Sequence, residues 1–182
     1  MRQNISKPSF DLKFLARVGI IAALYAGLTI GLAALSYQVS QIRFAEALTV
    51  LPFFYPEAIL GLFLGALIAN LFSPFGLIDV VFGSLVTLIA AVCTYYAGRV
   101  LKSRLNCWPL FALALILAPF FPVTFNSLGV SFYLLKFGLV SNYTYWGAVL
   151  SILTGELIAC YGLGAPILAA LIVRYRKTGE LF

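Results

Sequence analysis

The sequence predicts an all-α integral membrane protein, a single domain over residues 1–182 folded as a bundle of six transmembrane helices with both termini cytoplasmic. Three observations predict it. The chain is 63% hydrophobic and 10% charged, whereas a soluble domain is about half apolar and a quarter charged. Its apolar runs are long and lack the alternating ten-residue segments of a transmembrane barrel, which leaves a helical bundle as the structure that satisfies its backbone in lipid. Its 12 Lys and Arg fall in blocks, and such blocks mark the cytoplasmic side.

The first helix is placed at residues 14–36, after the basic stretch "MRQNISKPSFDLKFLAR". At about 34 Å it reaches across the hydrocarbon core. It is too long for a signal-peptide core and no small-residue cleavage site ends it, so it reads as an uncleaved helix. The next region, 41–72, is interrupted by Pro52 and Pro56. It is either one span or two short helices, 45–55 and 57–72. With the N-terminus inside, two helices put ten basic residues inside and two, Arg43 and Lys136, outside; one helix gives five against seven. The positive-inside rule therefore selects two helices, and Tyr55-Pro56 supplies the break. Eleven α-helical residues cover only about 16 Å, so helix 45–55 must be shielded by its neighbours.

The remaining spans are 77–98, 107–127 and 143–175. Residues 128–142 form a long outer connection, partly helical and continuous with the helix before it. The last run would be about 50 Å long as a regular helix. Splitting it would carry Arg174, Arg176 and Lys177 outside, so it reads as one helix kinked near Gly162–Pro166.

Composition also excludes functions. The absence of His removes His-dependent proteases and His-ligated haem or zinc. Cys93, Cys107 and Cys160 show no CxxC spacing and read as small buried hydrophobes, so no metal site or cofactor is expected. The net charge of +6 follows from the positive-inside rule and does not point to nucleic acid. No Ser–Lys dyad or paired acidic motif supports an enzyme, and no internal repeat supports a secondary transporter.

The polar residues at membrane depth are the candidate site. Gln38, Gln41, Arg43, Phe44 and Glu46 approach from the outer side, where Asn70 closes one helix, Asp79 opens the next, and Asn126, Tyr145 and Trp146 lie at the ends of the last two. Glu156 lies deeper along the last helix. Each has a plainer reading: Asp79 as a helix cap, Arg43 and Glu46 as an i, i+3 pair, Asn70 and Asn126 as interhelical glue, the aromatics as an interface belt. Together they suit a small, flat, polar heterocycle, stacked by aromatics and held by amides and carboxylates. In the first helix, Ala22/Ala26, Ala23/Gly27 and Gly27/Gly31 are small residues spaced by four, which let another helix approach.

"QIRFAEALTVLPFF", "GLFLGALIANLFSPFGLIDVVFGSLVTLIAA" and "GELIACYGLGAPIL" resemble the QueT family over about residues 12–176. The family's members are queuosine-precursor transporters, the substrate-binding S components of energy-coupling factor (ECF) importers. The resemblance implies six helices with cytoplasmic termini in the plasma membrane, and a 7-deazaguanine-type ligand bound on the outer face. It also implies a transmembrane coupling (T) component and two ATPase subunits as partners; this chain has no GxxxxGK[ST] motif of its own. Ala22-x-x-x-Ala26, with Ala23 and Gly27, then matches the motif with which S components dock on the coupling protein. An S component for another vitamin or purine-like micronutrient, and a structural membrane protein, are the alternatives.

Overall fold

A computed structural model describes residues 11–38 and 41–178; Arg2 and Lys7, counted above for topology, lie outside the described residues. The described residues contain helices and no strand. We number the α-helices α1 (Leu12–Gly31), α2 (Glu57–Asn70), α3 (Gly76–Arg104), α4 (Trp108–Lys136) and α5 (Tyr145–Thr178). A 3₁₀ helix, Phe44–Phe53, lies between α1 and α2. α1, α3, α4 and α5 are long and apolar enough to cross a membrane, while α2 and the 3₁₀ helix are shorter apolar helices.

The segment placed at 45–55 as an α-helix is the 3₁₀ helix. A 3₁₀ helix rises about 2.0 Å per residue, so ten residues reach about 20 Å, farther than the same residues in an α-helix. It is also narrower, and it sits in the middle of the bundle, packed against all five α-helices. Seven of its ten residues are buried, so its backbone is shielded by protein rather than by lipid. Thr49 closes one turn by donating its hydroxyl to the Glu46 carbonyl at 2.5 Å.

Glycines set how closely this helix is gripped. A Cβ at Gly98 of α3 would lie 2.0 Å from the Phe53 carbonyl oxygen, one at Gly155 of α5 1.7 Å from that of Gln41, and one at Gly164 3.1 Å from that of Ala47. α1 packs on α2 in a similar way: a Cβ at Gly61 or Gly65 would strike Ile21, Tyr25 or the α1 backbone at Ala22. At the turn between the 3₁₀ helix and α2, Pro56 is the residue before the helix and makes no side-chain cap. Glu57, in the first turn of α2, accepts from Arg17 at 2.7 Å and ties α2 to α1.

The long helices carry local irregularities. The first helix yields at Leu32, which separates α1 from a single turn at Ala33–Ser36. α4 runs on through most of the expected outer connection, to Lys136. It stops at Gly138, whose φ of +66° suits glycine; the Gly138 and Leu139 amides donate back to Leu135 and Leu134 at 3.0 and 2.9 Å. Within α4, Pro122 frees the carbonyl of Ala118, and Thr94 of α3 donates to it at 3.3 Å. α5 is one helix, as expected, and accommodates its glycines and Pro166 through a π-helical stretch, Leu157–Gly164.

Gly98→Ala is expected to lower stability by about 1–3 kcal/mol, because the new methyl overpacks a backbone contact. Alanine otherwise gains up to about 1 kcal/mol over glycine in a helix, and Gly19→Ala, which meets open space within 4 Å, should be neutral or better. Thermal unfolding of the two purified variants in one detergent checks the opposite signs.

Candidate functional site

One end of the bundle gathers the polar residues. It is where α1 and α2 end, where the 3₁₀ helix, α3 and α5 begin, and where the latter half of α4 passes. The element boundaries explain the concentration. The start of α3 brings Asp79 inward, the gripped 3₁₀ helix carries Gln41, Arg43 and Glu46 in with it, and Asn126 and Glu156 come from within α4 and α5. Gln41, Arg43, Glu46, Asn70, Asp79, Asn126 and Glu156 are all buried here.

Each acid has a neutral partner. Glu46 accepts from the Tyr25 hydroxyl of α1. Asp79 accepts from the Tyr133 hydroxyl of α4. Glu156 accepts from Asn126 Nδ2 at 3.1 Å and from the Cys160 thiol at 3.5 Å. Cys160 also donates to the Glu46 carbonyl at 3.6 Å, which ties α5 to the 3₁₀ helix. Asn70 donates to the Asp79 carbonyl at 3.1 Å and to Ser84 at 3.4 Å.

Arg43 is the cation of this cluster. Its Nη2 donates to Gln41 Oε1 at 3.1 Å. The i, i+3 ion pair with Glu46 is not formed: among the described residues the salt bridge within 4.0 Å is Arg17–Glu57. Arg43 instead sits within electrostatic reach of Glu46, Asp79 and Glu156 and of Tyr25, Tyr37 and Tyr133. One guanidinium thus serves three carboxylates. Tyr37, beyond the end of α1, donates to the Ala69 carbonyl at 2.6 Å, and burial raises its phenol above the usual tyrosine range while Arg43 pulls the other way.

Four buried atoms in this cluster make no hydrogen bond: Arg43 Nε, Glu46 Oε2, Asn70 Oδ1 and Asp79 Oδ2. A buried polar atom left unpaired costs about 1–3 kcal/mol. One spare donor and three spare acceptors leave this cluster with hydrogen-bonding capacity that the described residues do not use. Two π-helical stretches flank it, Asp79–Gly83 beginning at one acid and Leu157–Gly164 just after another; such insertions often occur at functional sites. Among the described residues no group of three His, Cys, Asp or Glu side chains is placed to hold a metal ion.

The other expected site residues lie elsewhere. Gln38 is exposed and donates to the Ala34 carbonyl at 2.9 Å. Trp146 is 67% exposed and meets Tyr145 edge to face, while Tyr145 donates to the Leu128 carbonyl at 3.4 Å. Phe44 lines an apolar groove with Leu28, Leu32 and Leu163. Conversely, Tyr25, Tyr133 and Cys160 belong to the cluster and were not singled out from the sequence. Cys160 was readable as the i+4 neighbour of Glu156. Tyr25 was readable as a phenol inside an apolar helix, which needs a partner when buried. Tyr133 fell in a segment expected to be a connection.

The small-residue positions of α1 divide into two faces. Ala22 and Ala26 are buried against α2. Ala23 and Gly27 are exposed, on the same face as Gly19 and Gly31.

Comparison with known proteins adds to this geometry. The family model described as QueT transporter matches residues 15–172. A 74-residue stretch is 40% identical to the queuosine precursor transporter QueT of Lactococcus lactis subsp. cremoris (strain MG1363). That stretch covers 40% of this chain and 43% of the relative, so the chain aligns with less than half of that protein's length. No solved structure matches the chain.

Arg43→Ala should cost about 3–5 kcal/mol of stability, since it leaves buried carboxylates without their cation. Arg43→Lys, which keeps the charge but loses the planar fork, should fall between. An unaltered melting temperature for the alanine variant in detergent would show that the guanidinium does not neutralise the cluster.

Proposed function

The chain belongs to the QueT transporter family, and we propose that it is the substrate-binding S component of an ECF importer, capturing a queuosine precursor of the 7-deazaguanine type at the outer face of the plasma membrane. In this reading it is a multi-pass membrane protein and a transporter rather than an enzyme, which the family match and four helices long and apolar enough to cross a membrane support. In this reading the five α-helices and the 3₁₀ helix make six passes, with both termini cytoplasmic. The distribution of basic residues supports that orientation.

The observation that carries the ligand reading is the set of unpaired atoms on Glu46, Asn70, Asp79 and Arg43. A carboxylate accepts two parallel N–H bonds from a guanine-like edge, and an amide oxygen accepts a third. Three carboxylates around one guanidinium also favour a ligand that brings a positive charge, as a 7-aminomethyl group would. That the Lactococcus relative is a queuosine precursor transporter supports this substrate class. A purely structural role would have the acids pair with cations or with one another. Here Glu46 and Asp79 each keep an oxygen free.

The same reading supplies partners: a transmembrane T component and two cytoplasmic ATPases, since this chain has no P-loop. The exposed face of α1 suits docking. Gly19, Gly27 and Gly31 have nothing within 4 Å of a built Cβ, and with Ala23 they form a smooth stripe against which a partner helix can close.

Two experiments test it. Thermal unfolding of the purified protein against deazaguanines, queuine, guanine and vitamins should show the largest stabilisation with a deazaguanine. Glu46→Gln should weaken that ligand by about 1–3 kcal/mol, and equal affinity would remove Glu46 from the site. Gly27→Leu should keep ligand binding and lose co-purification with the T component. Recovery of the assembled complex at normal yield would rule out this face as the docking surface.

A further inference from the structure

The opposite end of the bundle carries a second polar site. It lies where α3 turns into α4 and where α5 ends. Lys102, Ser103, Leu105, Asn106, Tyr175 and Arg176 line a cavity of about 210 Å³ there. The stretches 99–106 and 174–178 hold six basic residues and no acidic one.

Two of those cations are held in place by rings and not by carboxylates. The Lys102 ammonium lies 5.1 Å from the Tyr175 ring centre and 5.6 Å from that of Phe54. The Arg176 guanidinium lies 4.7 Å from the Phe111 ring and donates to the Leu105 carbonyl. Its Nε is buried and makes no hydrogen bond. Neither Lys102 nor Arg176 has a carboxylate within 4.0 Å among the described residues. Aromatic faces fix a cation without neutralising it, so both charges stay available to an anion.

The depth of the cavity narrows the anion. Trp108 is 72% exposed and stacks on Phe111, the ring beneath Arg176. An exposed Trp at the end of a membrane helix marks the level of the lipid headgroups, which is where phospholipid phosphates lie. Basic pockets between transmembrane helices on the cytoplasmic side take anionic headgroups. We propose that this cavity binds the phosphate of an anionic phospholipid, with Lys102 and Arg176 as the cations and Ser103 and Asn106 as neutral donors. A zwitterionic lipid carries its own ammonium beside the phosphate and competes poorly for two cations. The site is separate from the polar cluster at the other end, so its failure would leave the ligand reading untouched.

The test uses the full chain purified in neutral detergent. Phosphatidylglycerol added to the micelles should raise the melting temperature, and phosphatidylcholine should not. Lys102→Gln should weaken the phosphatidylglycerol effect about fivefold, and Lys102→Gln with Arg176→Gln more steeply, since each basic residue at an anionic surface contributes on that scale. Lys102 is only half-buried, so the single variant tests the site even if loss of the Arg176–Leu105 contact unfolds the double one. Inorganic phosphate alone should have no effect at millimolar concentration. Equal phosphatidylglycerol affinity in wild type and Lys102→Gln would overturn the proposal. Stabilisation by phosphate as large as by the lipid would also overturn it, making the cavity a soluble-anion site.

Discussion

The structure depends on the close backbone approach between the 3₁₀ helix and the glycines of its neighbours. A ten-residue helix cannot satisfy its ends in lipid, so protein must surround it. The distances at Gly98, Gly155 and Gly164 leave no room for a side chain at the first two and little at the third. These contacts clamp the helix near Phe53 at one end and near Gln41 at the other. Because Gln41 is clamped, Arg43 and Glu46 enter the bundle at a fixed level instead of floating out to water. The polar site is therefore a consequence of how a short helix is accommodated.

Burial of so much charge is then made tolerable by neutral partners. Tyr25 and Tyr133 each donate to a carboxylate from a different helix, and Asn126 and Cys160 do so for Glu156. Uncharged donors satisfy one oxygen of an acid without cancelling its charge. Arg43, which is not locked into a contact pair, spreads its field over all three acids. Pairing each acid with its own cation would have given a more stable and more inert core. The present arrangement leaves hydrogen-bonding capacity unused inside the bundle.

Much of this was legible in the sequence, and the limits have physical causes. The break at Tyr55-Pro56 and the single last helix follow from counting charges, a global constraint that does not depend on local propensity. Asn70, Asp79, Asn126 and Glu46 were legible because ionisable and amide groups at membrane depth are costly and need a reason. The 3₁₀ form of Phe44–Phe53 was not, since the narrow space between five other helices is a tertiary constraint that the segment's own residues do not announce. The continuation of α4 into 128–142 was expected, but its end at Lys136 was not placed, because hydrophobic residues run on past that point and only Gly138, with its positive φ, marks the stop. Gln38 and Trp146 were grouped with the site by depth alone. Depth places a residue along the membrane normal but says nothing about which way its helix face turns, and both face outward.

The small residues of α1 show why that rotational information matters. Ala22 and Ala26 share a spacing with Ala23 and Gly27, one position apart along the chain. In a helix one position is about 100° of rotation, enough to bury the first pair, with Ala22 against Gly65 of α2, and to send the second pair to the outer surface. The first pair binds α1 into the bundle, where Tyr25, on the same buried side, reaches Glu46. The second pair presents a smooth surface that the bundle does not use. A single helix thus connects the polar cluster on one side to an exposed small-residue face on the other.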